Sequence, residues 1–190
     1  MAIGPEMSRR REAMLGLACS AIALAAGQAQ AGRGQLEVRA RRAALAPAEF
    51  FTGAGERRTI ADFRRRGLVI NLWATWCPPC VEEMPALDRL AGLVAGHDIE
   101  VLALSQDRGG APVVRGFYDR HALRNLAIWL DPRGAAARAW GVRGLPTTLI
   151  VDRVGLEAAR LEGVAAWDAA EMVDQIRRLV EPFEPASTAT

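Results

Sequence analysis

The fold of this chain is decided by the stretch Val69-Ile70-Asn71-Leu72-Trp73-Ala74-Thr75-Trp76-Cys77-Pro78-Pro79-Cys80. The apolar run from Leu68 to Trp73 predicts a buried central strand. The two prolines suit the first turn of a helix, where backbone N–H groups have no intrahelical partner. Apolar residues then recur at helical spacing as far as Val94. We therefore predict a C-x-x-C pair at a strand-to-helix junction.

The cysteine count limits the chemistry of this pair. The chain has three cysteines, and Cys19 lies within a predicted export signal. Cys77 and Cys80 then have only each other as disulfide partners in the chain. A bond across so short a loop adds little stability, because it removes little entropy from the unfolded chain. We interpret the pair as a reagent for thiol–disulfide exchange.

The N-terminal residues are typical of an export signal. The basic segment Ser8-Arg9-Arg10-Arg11 precedes an apolar segment, 13–27, and the small-residue cleavage site Ala29-Gln30-Ala31. We predict a signal peptide at 1–31, with an uncleaved anchor as the alternative, although a bilayer span needs roughly 20 apolar residues. Twin-arginine export and lipidation at Cys19 fit their motifs less well.

Beyond the signal, the pattern predicts one domain. Residues 32–47 are interpreted as a linker, 48–181 as the folded domain and 182–190 as a disordered tail. A hairpin with a glycine turn is predicted at 49–60. Further strands are predicted at 99–104, 126–130, 147–151 and 156–161, and helices at 79–94, 111–122, 134–140 and 166–180. This order predicts an α/β fold, with a central mixed β-sheet flanked by helices and an N-terminal hairpin extension.

The composition argues against several classes of partner. The net charge is +2, and no basic stripe with interleaved aromatic residues is present, so we expect no nucleic-acid partner. The chain carries no dinucleotide-binding fingerprint, and His97 and His121 are isolated in the sequence. We therefore expect no metal and no cofactor apart from the redox-active Cys77–Cys80 disulfide.

The position of each cysteine in the predicted helix suggests its role. Cys77 lies at the helix N-terminus, where we expect it to be exposed and its thiolate to be stabilised by the helix dipole. Cys80 lies one turn into the helix and is expected to resolve the mixed disulfide that Cys77 forms. Pro78 and Pro79 donate no backbone N–H, so we expect the Cys77 thiolate to be less stabilised than in loops that have these groups.

Two motifs in the chain resemble those of a known family. The stretch that ends in Cys80 and the segment Gly141-Val142-Arg143-Gly144-Leu145-Pro146-Thr147-Thr148 are similar to the hallmark motifs of thioredoxin-fold proteins. They are most similar to those of the exported TlpA/ResA/DsbE-type thiol:disulfide oxidoreductases. The resemblance covers residues 45–181 and implies a thioredoxin-like fold.

The resemblance also implies roles around the cysteine pair. Pro146 is expected to be cis and to pack beside the cysteines, and the backbone of Leu145 is expected to pair with an extended substrate segment. Trp76, Pro78 and Pro79 are expected to complete the substrate-binding surface, with Trp76 over the rim of the disulfide.

Glu83 is a further candidate catalytic residue. It follows Cys80 by three positions, so the two share a helix face, and ResA-like members imply that it exchanges a proton with Cys80. The alternative is that Glu82 and Glu83 only complement the helix dipole. Asn71 stands where thioredoxins carry a buried aspartate. An amide cannot shuttle a proton, which favours Glu83 as the group that exchanges a proton with Cys80.

The function implied by the resemblance is reduction of disulfides in periplasmic client proteins. Candidate roles are cytochrome c maturation, although Pro146-Thr147-Thr148 lacks the Pro-Glu-Thr pattern of DsbE-type proteins, and assembly of copper proteins or oxidases. A membrane DsbD/CcdA-type protein would supply the electrons, and we expect a monomer. Two alternatives stay open, a DsbA-like oxidant and a Cu(I)-binding module that uses Cys77, Cys80 and Met84.

Overall fold

The structure, a computed structural model, describes residues 34–182. The predicted signal peptide at 1–31 and all but the first residue of the predicted tail at 182–190 lie outside the described residues. Within the described part of the chain, no helix is both long enough and apolar enough to cross a membrane.

Apart from the first strand, the strands and helices follow the predicted order. The strands are β1 (Glu37–Ala44), β2 (Phe50–Thr52), β3 (Arg57–Arg58), β4 (Gly67–Trp73), β5 (Ile99–Ser105), β6 (Trp129–Leu130), β7 (Thr147–Val151) and β8 (Leu156–Glu162). The helices are α1 (Pro78–Val94), α2 (Gly110–Arg120), α3 (Ala135–Ala139) and α4 (Ala170–Leu179), and a short 3-10 helix lies at Ile60–Phe63.

All eight strands form one mixed sheet in the order β1-β8-β7-β4-β5-β6-β2-β3. Strands β4, β5 and β6 run parallel to one another, and β7 pairs antiparallel with β4. All seven residues of β4 are buried, as expected for a central strand that is covered on both faces. The predicted α/β fold with a mixed sheet is confirmed, and so is the N-terminal hairpin, formed by β2 and β3.

The two faces of β4 belong to two apolar clusters. Val69 and Trp73 face a cluster that includes Leu87 of α1 and Ile176 of α4. Alternate residues, such as Ile70, face a second cluster built around Phe50, Trp129 and Trp140. Because successive side chains of a strand point to opposite faces, Asn71 shares the face of Val69 and Trp73 and is directed toward helix α1.

The linker prediction for 32–47 is wrong over residues 37–44, which form strand β1 and pair antiparallel with β8. This edge strand is mostly exposed and rich in arginine, so it has no apolar alternation from which a strand could be predicted. Its backbone pairing is supported by ion pairs from Arg39 to Glu157 at 2.7 Å and from Arg42 to Asp152 at 2.9 Å. The first strand of the sheet therefore lies before the predicted domain start at 48.

Two other elements are shorter than predicted. Strand β6 begins at Trp129 because the preceding N–H groups of Arg124, Asn125 and Leu126 donate to Asp88 of α1 instead of to a strand. Helix α4 begins at Ala170, which leaves residues 163–169 as a loop against α1.

Candidate active site

Cys77 and Cys80 form a disulfide at the start of α1, with Cα atoms 5.3 Å apart. Cys77 is the N-cap residue and has extended backbone geometry, so its carbonyl accepts the first helical bond, from Val81 at 3.0 Å. Both cysteines are buried, Cys77 with 5% of its surface exposed and Cys80 with none. The prediction that Cys77 is exposed is therefore wrong, although Cys77 is the less buried of the two cysteines, as predicted.

The prolines of the C-x-x-C motif occupy the first two positions of the helix. Because proline lacks an N–H, Cys80 supplies the first amide hydrogen of α1. The electrostatic support for a Cys77 thiolate is therefore limited to this N–H and the helix dipole. Pro78 and Pro79 are both exposed, as a role in substrate binding requires.

The sheet register brings the second motif to the cysteines. Strand β4 ends next to the start of β7, because Leu72 pairs with Thr147 across an antiparallel ladder. Pro146 precedes β7, so it lies at the same end of the strands at which the chain leaves β4 and enters α1. The Leu145–Pro146 bond is cis, as expected. Among the described residues, the backbone of Leu145 has no hydrogen-bond partner, which leaves it available to an extended segment of another chain.

Glu83 is buried in α1, with 4% of its surface exposed. Its Oε2 accepts a hydrogen bond from Trp167 Nε1 at 2.7 Å, and its Oε1 accepts one from Asn71 Nδ2 at 2.8 Å. A longer bond comes from the N–H of Ala165 at 3.4 Å. Burial raises the pKa of Glu83 to about 7, against the lowering effect of these three donors. A carboxyl that titrates near neutrality, one helical turn from Cys80, suits proton exchange with a thiol.

Trp167 was not among the site residues predicted from the sequence. Its ring is fully buried, and its single donor, the indole N–H, is directed at Glu83. Asn71 was singled out for the residue that it replaces and not for what it contacts. No local pattern links these residues to Glu83, because 84 and 12 positions separate them along the chain.

A second buried carboxylate anchors the loop that leads into Cys77. Asp107 follows β5 and accepts hydrogen bonds from the backbone N–H of Thr75 at 2.9 Å and from its hydroxyl at 2.7 Å. The Ser105 hydroxyl donates to the same carboxylate at 2.8 Å. Thr75 lies two residues before Cys77, so Asp107 ties the outer cysteine to strand β5. Asp107 was not among the site residues predicted from the sequence.

The two tryptophans of the motif differ in their surroundings. Trp73 is fully buried, as predicted, and its ring lies 5.0 Å from that of Phe117. Trp76 leaves 66% of its surface exposed next to Cys77. Met84, a ligand in the Cu(I) alternative, is fully buried in the same cluster as Cys80.

A cleft of about 430 Å³ opens beside Glu83. Its walls come from α1 and from the loop before α4, and they include Glu82, Arg89, Ala165 and Asp168. Arg89 and Asp168 form an ion pair at 2.7 Å. The cleft provides a route between solvent and a carboxyl that is otherwise enclosed by protein.

Comparison with known proteins places this site in a family. The model of the AhpC/TSA family matches residues 41–156, a segment that contains Cys77, Cys80, Glu83 and Pro146. The thiol-disulfide oxidoreductase ResA of Halalkalibacterium halodurans is 30% identical over 128 residues, which are 67% of this chain and 70% of that relative.

Two further comparisons differ in how much of the chain they cover. A DsbE homolog of Paracoccus denitrificans, named a thiol:disulfide interchange protein, is 37% identical over 87 residues, 46% of this chain and 45% of the relative. A solved thiol:disulfide interchange protein of the thioredoxin family from Chlorobium tepidum has a TM-score of 0.58 and 20% identity, covering 73% of this chain and 99% of that one. This likeness confirms the thioredoxin-like fold. The chain thus spans 70% of the length of the ResA relative and 45% of the length of the DsbE homolog.

Proposed function

The chain belongs to the AhpC/TSA family and is a thiol–disulfide oxidoreductase similar to ResA and DsbE, and from this premise we propose that it reduces disulfides in exported client proteins. The observation that carries the proposal is the pairing of an outer and an inner cysteine with a buried carboxyl. Cys77 caps α1 beside the exposed Trp76, whereas Cys80 and Glu83 lie inside on the same helix.

The reaction uses the two cysteines in sequence. The Cys77 thiolate attacks one sulfur of a client disulfide, and the other client sulfur leaves as a thiolate that takes a proton from solvent. Cys80 then attacks Cys77 Sγ, which forms the Cys77–Cys80 disulfide and releases the second client thiolate. One client disulfide thus becomes two thiols while the protein dithiol becomes a disulfide, a transfer of two electrons and two protons.

Glu83 acts in the second half of this sequence. Cys80 must lose its proton before it attacks, because the thiolate and not the thiol is the nucleophile. The Glu83 carboxylate accepts this proton and passes it to solvent through the cleft beside Arg89 and Asp168. A pKa of about 7 lets Glu83 accept and release the proton near neutral pH.

The electrons come from a second dithiol protein. We propose a membrane donor of the DsbD/CcdA type, a periplasmic location after export and a monomeric protein. The clients are disulfide-bonded segments that pair with the free backbone of Leu145 and cover Trp76, in cytochrome c maturation or in the assembly of copper proteins and oxidases. Pro78 and Pro79 form the exposed rim that these segments approach.

The reduction potential of the Cys77–Cys80 couple tests the direction of electron flow. Thiol trapping in dithiothreitol or glutathione redox buffers should give a value near or below that of thioredoxin, about −270 mV. A value near that of DsbA, about −120 mV, would show an oxidant and overturn the proposed direction.

Client capture tests the roles of the cysteines. The Cys80→Ser variant should accumulate mixed disulfides through Cys77, since the resolving thiol is absent. Cys77→Ser is the matched control and should capture no client. Capture by Cys77→Ser at the level of Cys80→Ser would reverse the assigned roles.

A further inference from the structure

The amide of Asn71 is buried between two side chains that it joins. Its Nδ2 donates to Glu83 Oε1 at 2.8 Å and to Thr148 Oγ1 at 2.9 Å. Thr148 is the cross-strand partner of Asn71 on β7. The other end of the same amide, Oδ1, is buried without a hydrogen-bond partner in the described part of the chain. A buried acceptor left unpaired destabilises the folded protein, so the arrangement calls for an explanation.

The described hydrogen bonds suit one protonation state of Glu83 alone. Trp167 Nε1, Asn71 Nδ2 and the Ala165 N–H all donate to the carboxyl, which fits a carboxylate that only accepts. Once Glu83 takes a proton, its O–H becomes a donor that needs a buried acceptor. The indole of Trp167 cannot serve, because it has only a donor.

We propose that the amide of Asn71 turns over when Glu83 is protonated, so that Oδ1 replaces Nδ2 between Glu83 and Thr148. This inference rests on the proposed proton exchange between Glu83 and Cys80. The C=O and NH2 groups of an amide are nearly the same size. Turning the Asn71 amide over therefore requires rotation about one side-chain bond and no movement of the backbone. In the turned state, Glu83 Oε1–H donates to Asn71 Oδ1, while Trp167 still donates to Oε2.

Thr148 can pair with whichever end of the amide faces it. A hydroxyl both donates and accepts, so Thr148 Oγ1 accepts from Nδ2 in one state and donates to Oδ1 in the other. An aspartate at position 71 would instead place a second carboxyl 2.8 Å from Glu83, and two carboxyls so close hold a proton between them. Asn71 is thus a positioning residue for Glu83.

Other charged groups near Glu83 lie on α1 and in the loop before α4. Glu82, Arg89 and Asp168 line the adjoining cleft, with Arg89 and Asp168 paired to each other. Cys80 is held in the disulfide in the oxidised protein. The sheet side contributes the uncharged side chains of Asn71 and Thr148. In the oxidised protein, Glu83 is therefore the group whose titration reaches the Asn71 amide directly.

Nuclear magnetic resonance of the oxidised protein tests the inference. Nuclear Overhauser contacts from the Asn71 Nδ2 protons to the Thr148 side chain should be strong above the Glu83 midpoint and lost below it. The carboxyl carbon shift of Glu83 supplies that midpoint in the same sample. An Asn71–Thr148 contact that stays constant through the Glu83 titration would overturn the inference.

A matched pair of variants sharpens this test. In Glu83→Gln the oxygen must face Trp167 Nε1, so the NH2 group faces Asn71 and should hold its amide in the turned orientation at every pH. Glu82→Gln, with an exposed side chain on the same helix, should keep the switch at the wild-type midpoint. Persistence of the Nδ2–Thr148 contact in Glu83→Gln would overturn the inference.

Disulfide reduction by the same proteins, measured after dithiothreitol has converted the Cys77–Cys80 disulfide to the dithiol and been removed, separates the two proposals. An amide that turns with Glu83 in a protein that reduces no client would support the switch and contradict the proposed function. A fixed amide in an active reductase would overturn the switch and leave the proposed function standing.

Discussion

The substitution Glu83→Gln should change how the stability of the oxidised protein depends on pH. Burial raises the pKa of Glu83 from 4.5 to about 7, so the folded protein holds a proton that the unfolded chain has already lost. A carboxyl with a raised folded pKa stabilises the fold fully below its unfolded pKa, and this contribution is lost as the pH rises through the folded pKa. At about 1.36 kcal/mol per pKa unit, the total is about 3 kcal/mol.

Glutamine has nearly the same shape as glutamate and carries no charge at any pH, so the variant lacks this titration. The assay is urea unfolding of the oxidised wild type and variant from about pH 4 to about pH 8, with the free energy of unfolding extrapolated to water. The variant's stability relative to wild type should rise across this window by about 3 kcal/mol. The rise should be concentrated between the unfolded pKa of 4.5 and the folded pKa of about 7.

The matched control is Glu82→Gln, because Glu82 is exposed on the same helix. Its unfolding free energy should stay parallel to that of wild type over the whole range. Parallel curves for Glu83→Gln as well would mean that Glu83 ionises in the folded protein as it does in water. The burial argument, and the proton exchange with Cys80 that depends on it, would then be wrong.

Three further substitutions test other parts of the structure. Trp167→Phe removes a donor at 2.7 Å, so the pKa of Glu83 should rise further as the carboxylate loses about 1.5–3 kcal/mol of stabilisation; an unchanged carboxyl carbon midpoint would contradict this. Asp107→Ala deprives Thr75 and Ser105 of their hydrogen-bond acceptor. It should lower the free energy of unfolding by about 1–3 kcal/mol or more and shift the reduction potential of the Cys77–Cys80 couple. Asp119 is exposed, so the control Asp119→Ala should change neither quantity. Arg42→Ala breaks an ion pair with the fully buried Asp152 side chain and should lower the free energy of unfolding by about 3 kcal/mol. Arg41 is exposed on the same strand, so Arg41→Ala should stay within about 0.5 kcal/mol of wild type. Equal losses of stability in the two variants would contradict the role of the Arg42–Asp152 pair in anchoring β1.

The elements predicted best are those with a strong local signal. β4 is a continuous apolar run, and the prolines at its end mark the start of α1, so both were placed to within one residue. The β7–β8 hairpin also has a strong local sequence signal, because a glycine turn separates two segments with strand patterns. Such signals survive into the fold because local preference and burial favour the same conformation.

The elements predicted poorly depend on distant partners. Strand β1 has no apolar alternation, and it is a strand because β8 offers an unpaired edge. Strand β6 is short because Asp88, on another element, binds the amide groups of Arg124, Asn125 and Leu126. In both cases the decisive hydrogen bonds join residues that no window of the sequence contains together.

The candidate site divides in the same way. Residue type and short spacing were enough to identify the cysteine pair and its place at a strand-to-helix junction, whereas the place of the proline motif was expected from the family resemblance. The pKa of Glu83 could not be read from the sequence, since it depends on burial and on donors from Trp167 and Asn71. Trp167 lies 84 positions from Glu83, and Thr148 lies 77 positions from Asn71. Packing of the sheet, α1 and the loop before α4 brings these groups within hydrogen-bond distance, and desolvation by that packing moves the carboxyl toward neutral pH.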